Sequence, residues 1–152
     1  MTLSIGATAP DFERETHEGG RFKLSDLRDD KIVVLYFYPK DETPGCTAQA
    51  CSFRDAYEDF TDAGAVVVGV SADTLESHES FVAHHRLPFT LISDSDGSLR
   101  RLYKVATRML GLIPGRVTYV IDKQGKVQHV FNSMVQAKRH VAEALQVVER
   151  LA

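Results

Sequence analysis

The sequence has no tryptophan, only two cysteines and no long hydrophobic run. A helix that spans a bilayer needs about 20 consecutive apolar residues, and the apolar stretches of this chain are far shorter. Residues 1–11 also lack the basic start and the apolar run of a secretory signal. The sequence therefore predicts a soluble cytoplasmic protein that does not enter a membrane.

An excess of charge of one sign is absent as well. The chain has 18 basic and 21 acidic residues, for a net charge of −3, which argues against a general nucleic-acid binder. Its 152 residues are most simply one domain, residues 1–152, long enough to bury a core without disulfides. We find no repeat, linker or low-complexity segment.

The histidines do not form a recognisable metal motif. His78, His84 and His85 lie close together in sequence, but no carboxylate or cysteine is found at ligand spacing among them. We therefore expect solvent-facing histidines and no metal site.

Two local signals lie outside the central elements. The turn at residues 18–20, followed by alternating apolar and polar residues, favours a small hairpin or an edge strand before residue 31. Residues 71–73 offer caps for the helix that runs to about residue 85.

The most informative stretch joins a strand to a helix. Residues 32–38 are apolar on both alternating faces, as expected of a central strand in a sheet that is covered on both sides. Pro39 ends this strand because it brings no N–H to the ladder. Thr43 and Pro44 then predict a helix start, with the threonine hydroxyl as N-cap and the proline in the first helical position. Cys46 is thus expected in the first helical turn.

That position favours a reactive thiol. The first N–H groups of a helix lack intrahelical partners, and the positive end of the helix dipole favours an anion. A free cysteine has a pKa of about 8.5, and helix N-termini with cationic neighbours lower it to roughly 3.5–7.5. Cys46 is therefore predicted to be mostly a thiolate nucleophile.

The second cysteine, Cys51, follows five residues later. In an undistorted helix this spacing puts the two Cα atoms about 8.6 Å apart, whereas a disulfide needs less than about 7 Å. Bonding of Cys51 to Cys46 would require the helix to unwind. Cys51 is either such a partner or an inert buried thiol, and the spacing does not decide between them. The helical spacing and the missing signal favour redox use in a reducing compartment.

The remaining pattern predicts an α/β protein. A buried strand at residues 66–70 follows the first helix, and a second helix runs to about residue 85. An antiparallel hairpin at residues 117–131 and a helix at 136–151 close the chain. A parallel βαβ unit, an antiparallel hairpin and a final helix are typical of a thioredoxin-like fold, with a central mixed β-sheet flanked by helices.

Pro39, Thr43 and Cys46 match the P-x-x-x-T-x-x-C signature of peroxiredoxins. With Cys51 five residues later, the block resembles the bacterioferritin-comigratory-protein and PrxQ subfamily. The likeness extends along nearly the whole chain, and its other segments are residues 6–12, 36–40 and 116–122.

This resemblance implies a thiol-dependent peroxidase without a cofactor. Hydrogen peroxide or an alkyl hydroperoxide would oxidise Cys46 to a sulfenic acid, Cys51 would form an intramolecular disulfide with it, and thioredoxin would reduce that disulfide. Peroxiredoxins place their active-site arginine where Arg116 stands. Thr43 is expected to orient the peroxide and Pro39 to shield the sulfur. We expect a monomer, with a dimer as the alternative.

Two features depart from the subfamily pattern. Many members carry glutamate where this chain has Gln49, which changes the charge near Cys46. The segment 106–115 lacks the tryptophan and lysine that many members have before the arginine. It instead holds an apolar cluster, which either fills the core or lines an opening beside the arginine for organic hydroperoxides or a partner. The cluster consists of Met109, Leu110, Leu112 and Ile113.

Two other functions remain open on the residues alone. A thiol–disulfide exchange protein has the same fold and a helix-terminal cysteine, but such proteins usually have C-x-x-C spacing, and here four residues separate the cysteines. The non-enzymatic alternative is a thioredoxin-like binding module in which the two cysteines act only as a redox switch.

Overall fold

The computed structural model describes residues 2–108 and 113–152. Its centre is a sheet of five strands, which are β3 (Ile32–Phe37), β4 (Ala65–Ser71), β5 (Thr90–Ser93), β8 (Val117–Ile121) and β9 (Val127–Asn132). Their order in the sheet is β5-β4-β3-β8-β9; β5, β4 and β3 are parallel, β8 is antiparallel to β3, and β9 is antiparallel to β8. The predicted mixed sheet is therefore confirmed.

Five α-helices and one short 3₁₀ helix (Leu24–Leu27) are described. Four of the α-helices contribute to the apolar cluster on one face of the sheet. That cluster includes Phe53, Phe60, Phe81 and Val148, one residue from each of these four helices. Burial of side chains on both faces explains why β3 is apolar along its whole length. The helices are α1 (Pro44–Asp55), α2 (Tyr57–Asp62), α3 (Leu75–His85), α4 (Ser98–Leu102) and α5 (Ala137–Leu151).

The other face is covered by α4 and by the amino-terminal segment. The predicted hairpin before residue 31 is present, with β1 (Glu13–Glu15) antiparallel to β2 (Arg21–Lys23). The short strands β6 (Thr107–Arg108) and β7 (Ile113–Pro114) form a separate antiparallel pair and precede β8 in the chain. Three members of the predicted apolar cluster lie outside the described residues, namely Met109, Leu110 and Leu112.

The start of α3 differs from the prediction. We expected a cap from residues 71–73, but Thr74 is the N-cap, and its Oγ1 accepts a hydrogen bond from the Ser77 N–H at 3.1 Å. Ser71 instead completes β4, and its hydroxyl donates to Asp73. In the described part of the chain, no helix combines the length and the apolar character needed to cross a bilayer.

The sheet register brings two distant parts of the sequence together. Phe37, the last residue of β3, is paired with Val117, the first residue of β8. The loop that follows β3 and the residue that precedes β8, Arg116, therefore lie at the same edge of the sheet. Helix α1, which begins after that loop, packs against β3 and α5.

Candidate active site

Helix α1 begins as the sequence predicts, except for its cap. Thr43 has an extended backbone, with φ −78° and ψ 153°, and Pro44 is the first helical residue. The predicted hydroxyl cap is wrong, because Thr43 Oγ1 donates to the Lys40 carbonyl oxygen at 2.8 Å and makes no capping bond. The hydroxyl hydrogen is thus committed to the loop, and the oxygen is left as an acceptor.

Cys46 is the third residue of α1, in the turn whose N–H groups have no intrahelical carbonyl partner. Its side chain is only 1% exposed and belongs to the apolar cluster that contains Tyr36 and Ala50. Cys51 is half-buried on the same helix, and both thiols are free. The Cys46 thiol therefore combines the positive end of the helix dipole with shielding from bulk water.

Arg116, which directly precedes β8, reaches the first turn of α1. It is buried, with 4% of its surface exposed. Its Nε donates to the Met134 carbonyl oxygen at 3.0 Å, and its Nη1 donates to Gln49 Oε1 at 2.6 Å. A Cβ atom at Gly45 would lie 2.9 Å from Nη2, so the guanidinium lies directly against the residue before Cys46. The structure thus brings Arg116 to the start of the cysteine helix.

The partners of this guanidinium carry no formal charge. Within residues 2–108 and 113–152, Arg116 forms no ion pair with a carboxylate. One of these neutral partners is the amide of Gln49. A buried cation without an anion is costly, so the site favours a negative group next to Gly45.

His140 lies near this cation and remains neutral. Its Nε2 donates to the Ser133 carbonyl oxygen at 2.7 Å, and its Nδ1 accepts from Thr118 Oγ1 at 2.8 Å. The pKa of His140 is lowered to about 4, chiefly by burial; the hydrogen bond to Ser133 opposes this shift, and the positive charge of Arg116 adds to it. The imidazole therefore adds no second positive charge at neutral pH.

Two buried polar atoms near Cys46 have no hydrogen-bond partner among the described residues. They are the hydroxyl oxygen of Tyr36 and Nε2 of Gln49. Burial raises the pKa of Tyr36 well above its usual value, and the neighbouring Cys46 and Asp41 raise it further. Tyr36 is therefore protonated at neutral pH, and its buried hydroxyl can donate a hydrogen bond.

The carboxylate of Asp41 anchors the loop before α1 to the interior of the protein. This buried carboxylate accepts hydrogen bonds from the Tyr38 hydroxyl at 2.5 Å and from Ser77 Oγ at 2.8 Å, and it lies 2.7 Å from His78 Nδ1. His78 Nε2 in turn lies 2.9 Å from the Ile92 carbonyl oxygen. Burial alone raises the pKa of Asp41, but the bonds from His78, Tyr38 and Ser77 lower it overall.

The expectation that His78 faces solvent is therefore wrong, since its side chain is fully buried. A sequence signal was present, because His78 lies three residues before the buried Phe81 and so on the same helix face. Pro39 lies half-buried at the start of this loop, directly after the buried Tyr38. Of the residues predicted to form the site, Thr43, Cys46 and Arg116 meet at the start of α1, and Cys51 lies further along the same helix.

Comparison with known proteins identifies the family of the chain. The model of the AhpC/TSA family matches residues 5–130 of the chain. The chain therefore belongs to the AhpC/TSA family, the family of the peroxiredoxins, and it is a thiol-dependent peroxidase.

Its relatives are peroxiredoxins of the Q type. It is 49% identical to chloroplastic peroxiredoxin Q of Sedum lineare over 149 residues, which covers 98% of this chain and 80% of that protein. It is 46% identical to chloroplastic peroxiredoxin Q of Triticum aestivum, again over 98% of this chain and over 68% of the relative.

Solved structures show the same likeness. Peroxidoxin BcpB of Mycobacterium tuberculosis superposes with a TM-score of 0.91 at 35% identity and covers 99% of both chains. A mutant of PrxQ from Xylella fastidiosa gives a TM-score of 0.89 at 30% identity, over 99% of this chain and 98% of the other. These neighbours confirm the thioredoxin-like peroxiredoxin fold and the PrxQ resemblance.

Proposed function

We propose that Cys46 is the thiolate that reduces the peroxide and that Arg116 is the cation that keeps it ionised. The supporting observation is the buried guanidinium, which lies against Gly45 and has only neutral partners. A thiolate on Cys46 supplies the negative charge that this cation lacks, and the N–H groups of the first turn of α1 favour the same charge.

The first step is displacement at oxygen. The Cys46 sulfur attacks the terminal peroxide oxygen, the S–O bond forms as the O–O bond breaks, and the sulfur is oxidised to a sulfenic acid. The leaving oxygen takes a proton from solvent and departs as water or an alcohol. Because negative charge moves from sulfur to this oxygen, Nη2 of Arg116 stabilises the charge along its path.

Thr43 and Pro39 have supporting roles in this proposal. The Thr43 hydroxyl donates to Lys40, so its oxygen accepts a hydrogen bond from the peroxide O–H and orients the terminal oxygen toward sulfur. Pro39 limits the access of water to the thiolate from the loop side. The position of both residues beside the start of α1 supports these proposed roles.

We assign Cys51 as the resolving cysteine. Its thiol attacks the sulfenic sulfur, which releases water and forms the Cys46–Cys51 disulfide. Because residues five apart in a helix lie about 8.6 Å apart at Cα and a disulfide needs less than about 7 Å, α1 must unwind for this step. An external dithiol then reduces the disulfide, and thioredoxin is the proposed donor.

Stopped-flow oxidation of the reduced protein by hydrogen peroxide and by cumene hydroperoxide, followed by mass spectrometry of the cysteine peptides, tests these roles. We expect Cys46→Ser to abolish peroxide turnover. We expect Cys51→Ser to complete one oxidation, accumulate sulfenic acid and fail to cycle with thioredoxin. Full cycling of Cys51→Ser would remove Cys51 from the mechanism.

The proposed substrates are hydrogen peroxide and alkyl hydroperoxides, and the proposed assembly is a monomer. An exchange protein would instead reduce insulin disulfides, whereas a redox-switched binding module would do neither reaction at a useful rate. Peroxide consumption with thioredoxin, thioredoxin reductase and NADPH, run beside an insulin assay, separates these three functions.

A further inference from the structure

A second group of side chains includes Glu42, an exposed residue of the loop between β3 and α1. Glu42, which directly precedes Thr43, has a left-handed backbone with φ 64°, an uncommon conformation for a glutamate. Its carboxylate faces the last two residues of α3, His84 and His85. We propose that these three side chains form a binding site for a divalent transition metal, with Zn²⁺ as the expected ion, and that the bound ion fixes the loop to α3.

The ligand atoms already converge. His84 Nδ1 lies 2.9 Å from Glu42 Oε2 and 3.2 Å from Oε1, and His85 Nε2 lies 2.8 Å from Oε1. Zn–N and Zn–O bonds of about 2.0–2.2 Å in a tetrahedron place neighbouring ligand atoms about 3.3 Å apart. The two carboxylate–imidazole pairs therefore need to separate by only about half an ångström to reach this spacing, and all three ligand atoms already lie within 4.8 Å of one another.

The donor set and the exposure suit this ion. Two imidazoles with one carboxylate are ligands that Zn²⁺ accepts, and a water can complete the fourth position. The side chain of His84 is 66% exposed and that of Glu42 is 45% exposed, so an ion reaches the site directly from solvent. His85 is more enclosed, with 16% exposed, and its ring packs edge-on against Phe81 at 5.2 Å.

Without an ion, hydrogen bonds from the two imidazoles to the Glu42 carboxylate hold the cluster together, and an ion would replace them. Burial slightly opposes ionisation of Glu42, but the hydrogen bonds from His84 and His85 lower its pKa overall. The ionised carboxylate is therefore ready to coordinate, and each imidazole nitrogen that now donates to it would instead turn its lone pair toward the ion.

A second group of similar composition does not offer a site. Asp41, Asp73 and His78 also bring ligand atoms close together. The Asp73 Oδ2 atom, however, accepts bonds from Ser71 and from the Asp41 N–H, and the Asp41 oxygens accept bonds from other side chains. An ion would have to break this buried network, whereas in the exposed cluster it replaces only the hydrogen bonds of two imidazole nitrogens.

The site has a functional consequence that rests on the proposed role of Cys51. Glu42 lies two residues before Pro44, where α1 begins, and α1 must unwind to form the disulfide. An ion that joins Glu42 to α3 restrains this end of the helix. We therefore expect Zn²⁺ to slow disulfide formation and to leave the first oxidation of Cys46 unchanged.

Calorimetric titration of Zn²⁺ into the Cys46→Ser/Cys51→Ser variant tests binding without interference from thiols. We expect one site, with affinity reduced about tenfold or more in Glu42→Gln and in His84→Ala. Glu76→Gln, which removes an exposed carboxylate at the other end of α3, should bind as the parent does. Absence of binding, or equal binding by the parent, Glu42→Gln and His84→Ala, would overturn the site.

Rapid mixing of the two-cysteine protein with hydrogen peroxide, with and without Zn²⁺, tests the consequence. Slower disulfide formation that is lost in Glu42→Gln supports it. A slower first oxidation, an unchanged disulfide rate, or an effect that persists in Glu42→Gln overturns it. Because the titration uses a protein without cysteines, failure of the peroxidase mechanism would leave the result for the metal site intact.

Discussion

Gly45→Ala separates the catalytic arrangement from the stability of the fold. The new Cβ would lie 2.9 Å from Arg116 Nη2 and 3.8 Å from Cζ. A carbon and a nitrogen in ordinary contact are about 3.5 Å apart, so the guanidinium must move by about half an ångström or more. It cannot rotate freely, because Nε and Nη1 are bonded to Met134 and Gln49.

The two effects of this substitution have opposite signs. Alanine is about 0.5–1 kcal/mol better than glycine within a helix, and this gain offsets part of the cost of displacing the guanidinium. We expect the free energy of unfolding to change by less than about 1 kcal/mol. A displaced donor costs far more in the reaction, and we expect the second-order rate of Cys46 oxidation to fall by about 10–100-fold.

The assay is stopped-flow oxidation by hydrogen peroxide, with urea unfolding of the same samples. Gly20→Ala is the matched control, since a Cβ there meets only Thr16 Oγ1 at 4.0 Å and should leave the oxidation rate unchanged. An oxidation rate of Gly45→Ala within about twofold of wild type, with the protein folded, would refute the claim that Arg116 must lie against this turn.

Two further predictions concern the supports of the site. Asp41→Asn should lower the free energy of unfolding, measured with urea at pH 7, by about 3 kcal/mol. The reason is that an amide cannot accept the hydrogen bonds from Tyr38, Ser77 and His78 in the same geometry. A loss below about 0.5 kcal/mol would contradict the role of Asp41 in holding the loop before α1. His140 has a pKa of about 4 in the folded protein and about 6.5 when unfolded, so the unfolded chain binds its proton first as the pH falls. Its contribution to the free energy of unfolding should therefore be about 2 kcal/mol smaller at pH 5 than at pH 7, and His140→Gln should lack this pH dependence; an identical pH dependence in the variant would count against it.

Local patterns were sufficient to predict the framework of the fold. The apolar run of β3 and the turn ending at Gly125, which has φ 81°, predicted the central strand and the β8–β9 hairpin. The start of α1 after Thr43 was also correct, because proline in the first helical position is a local signal. Such features depend on the residues next to them, so the sequence alone indicates them.

The features that were missed depend on contacts between distant residues. Asp41 and His78 are 37 positions apart, and Arg116 and Gln49 are 67 positions apart. Glu42 reaches His84 and His85 only because the loop after β3 lies beside the end of α3. Spacing within a short segment carries no information on such pairs, and the buried His78 was therefore wrongly assigned to solvent.

We propose that Arg116 and the start of α1 keep Cys46 ionised at neutral pH. This is tested by following the ultraviolet absorbance of the thiolate from pH 4 to 9 in the reduced wild-type protein, in Cys46→Ser and in Arg116→Met. We predict one thiolate at pH 7 in the wild type, none in Cys46→Ser and a reduced signal in Arg116→Met. A wild-type thiol that ionises only near pH 8.5, as a free cysteine does, or a signal unchanged in Arg116→Met would contradict the claim.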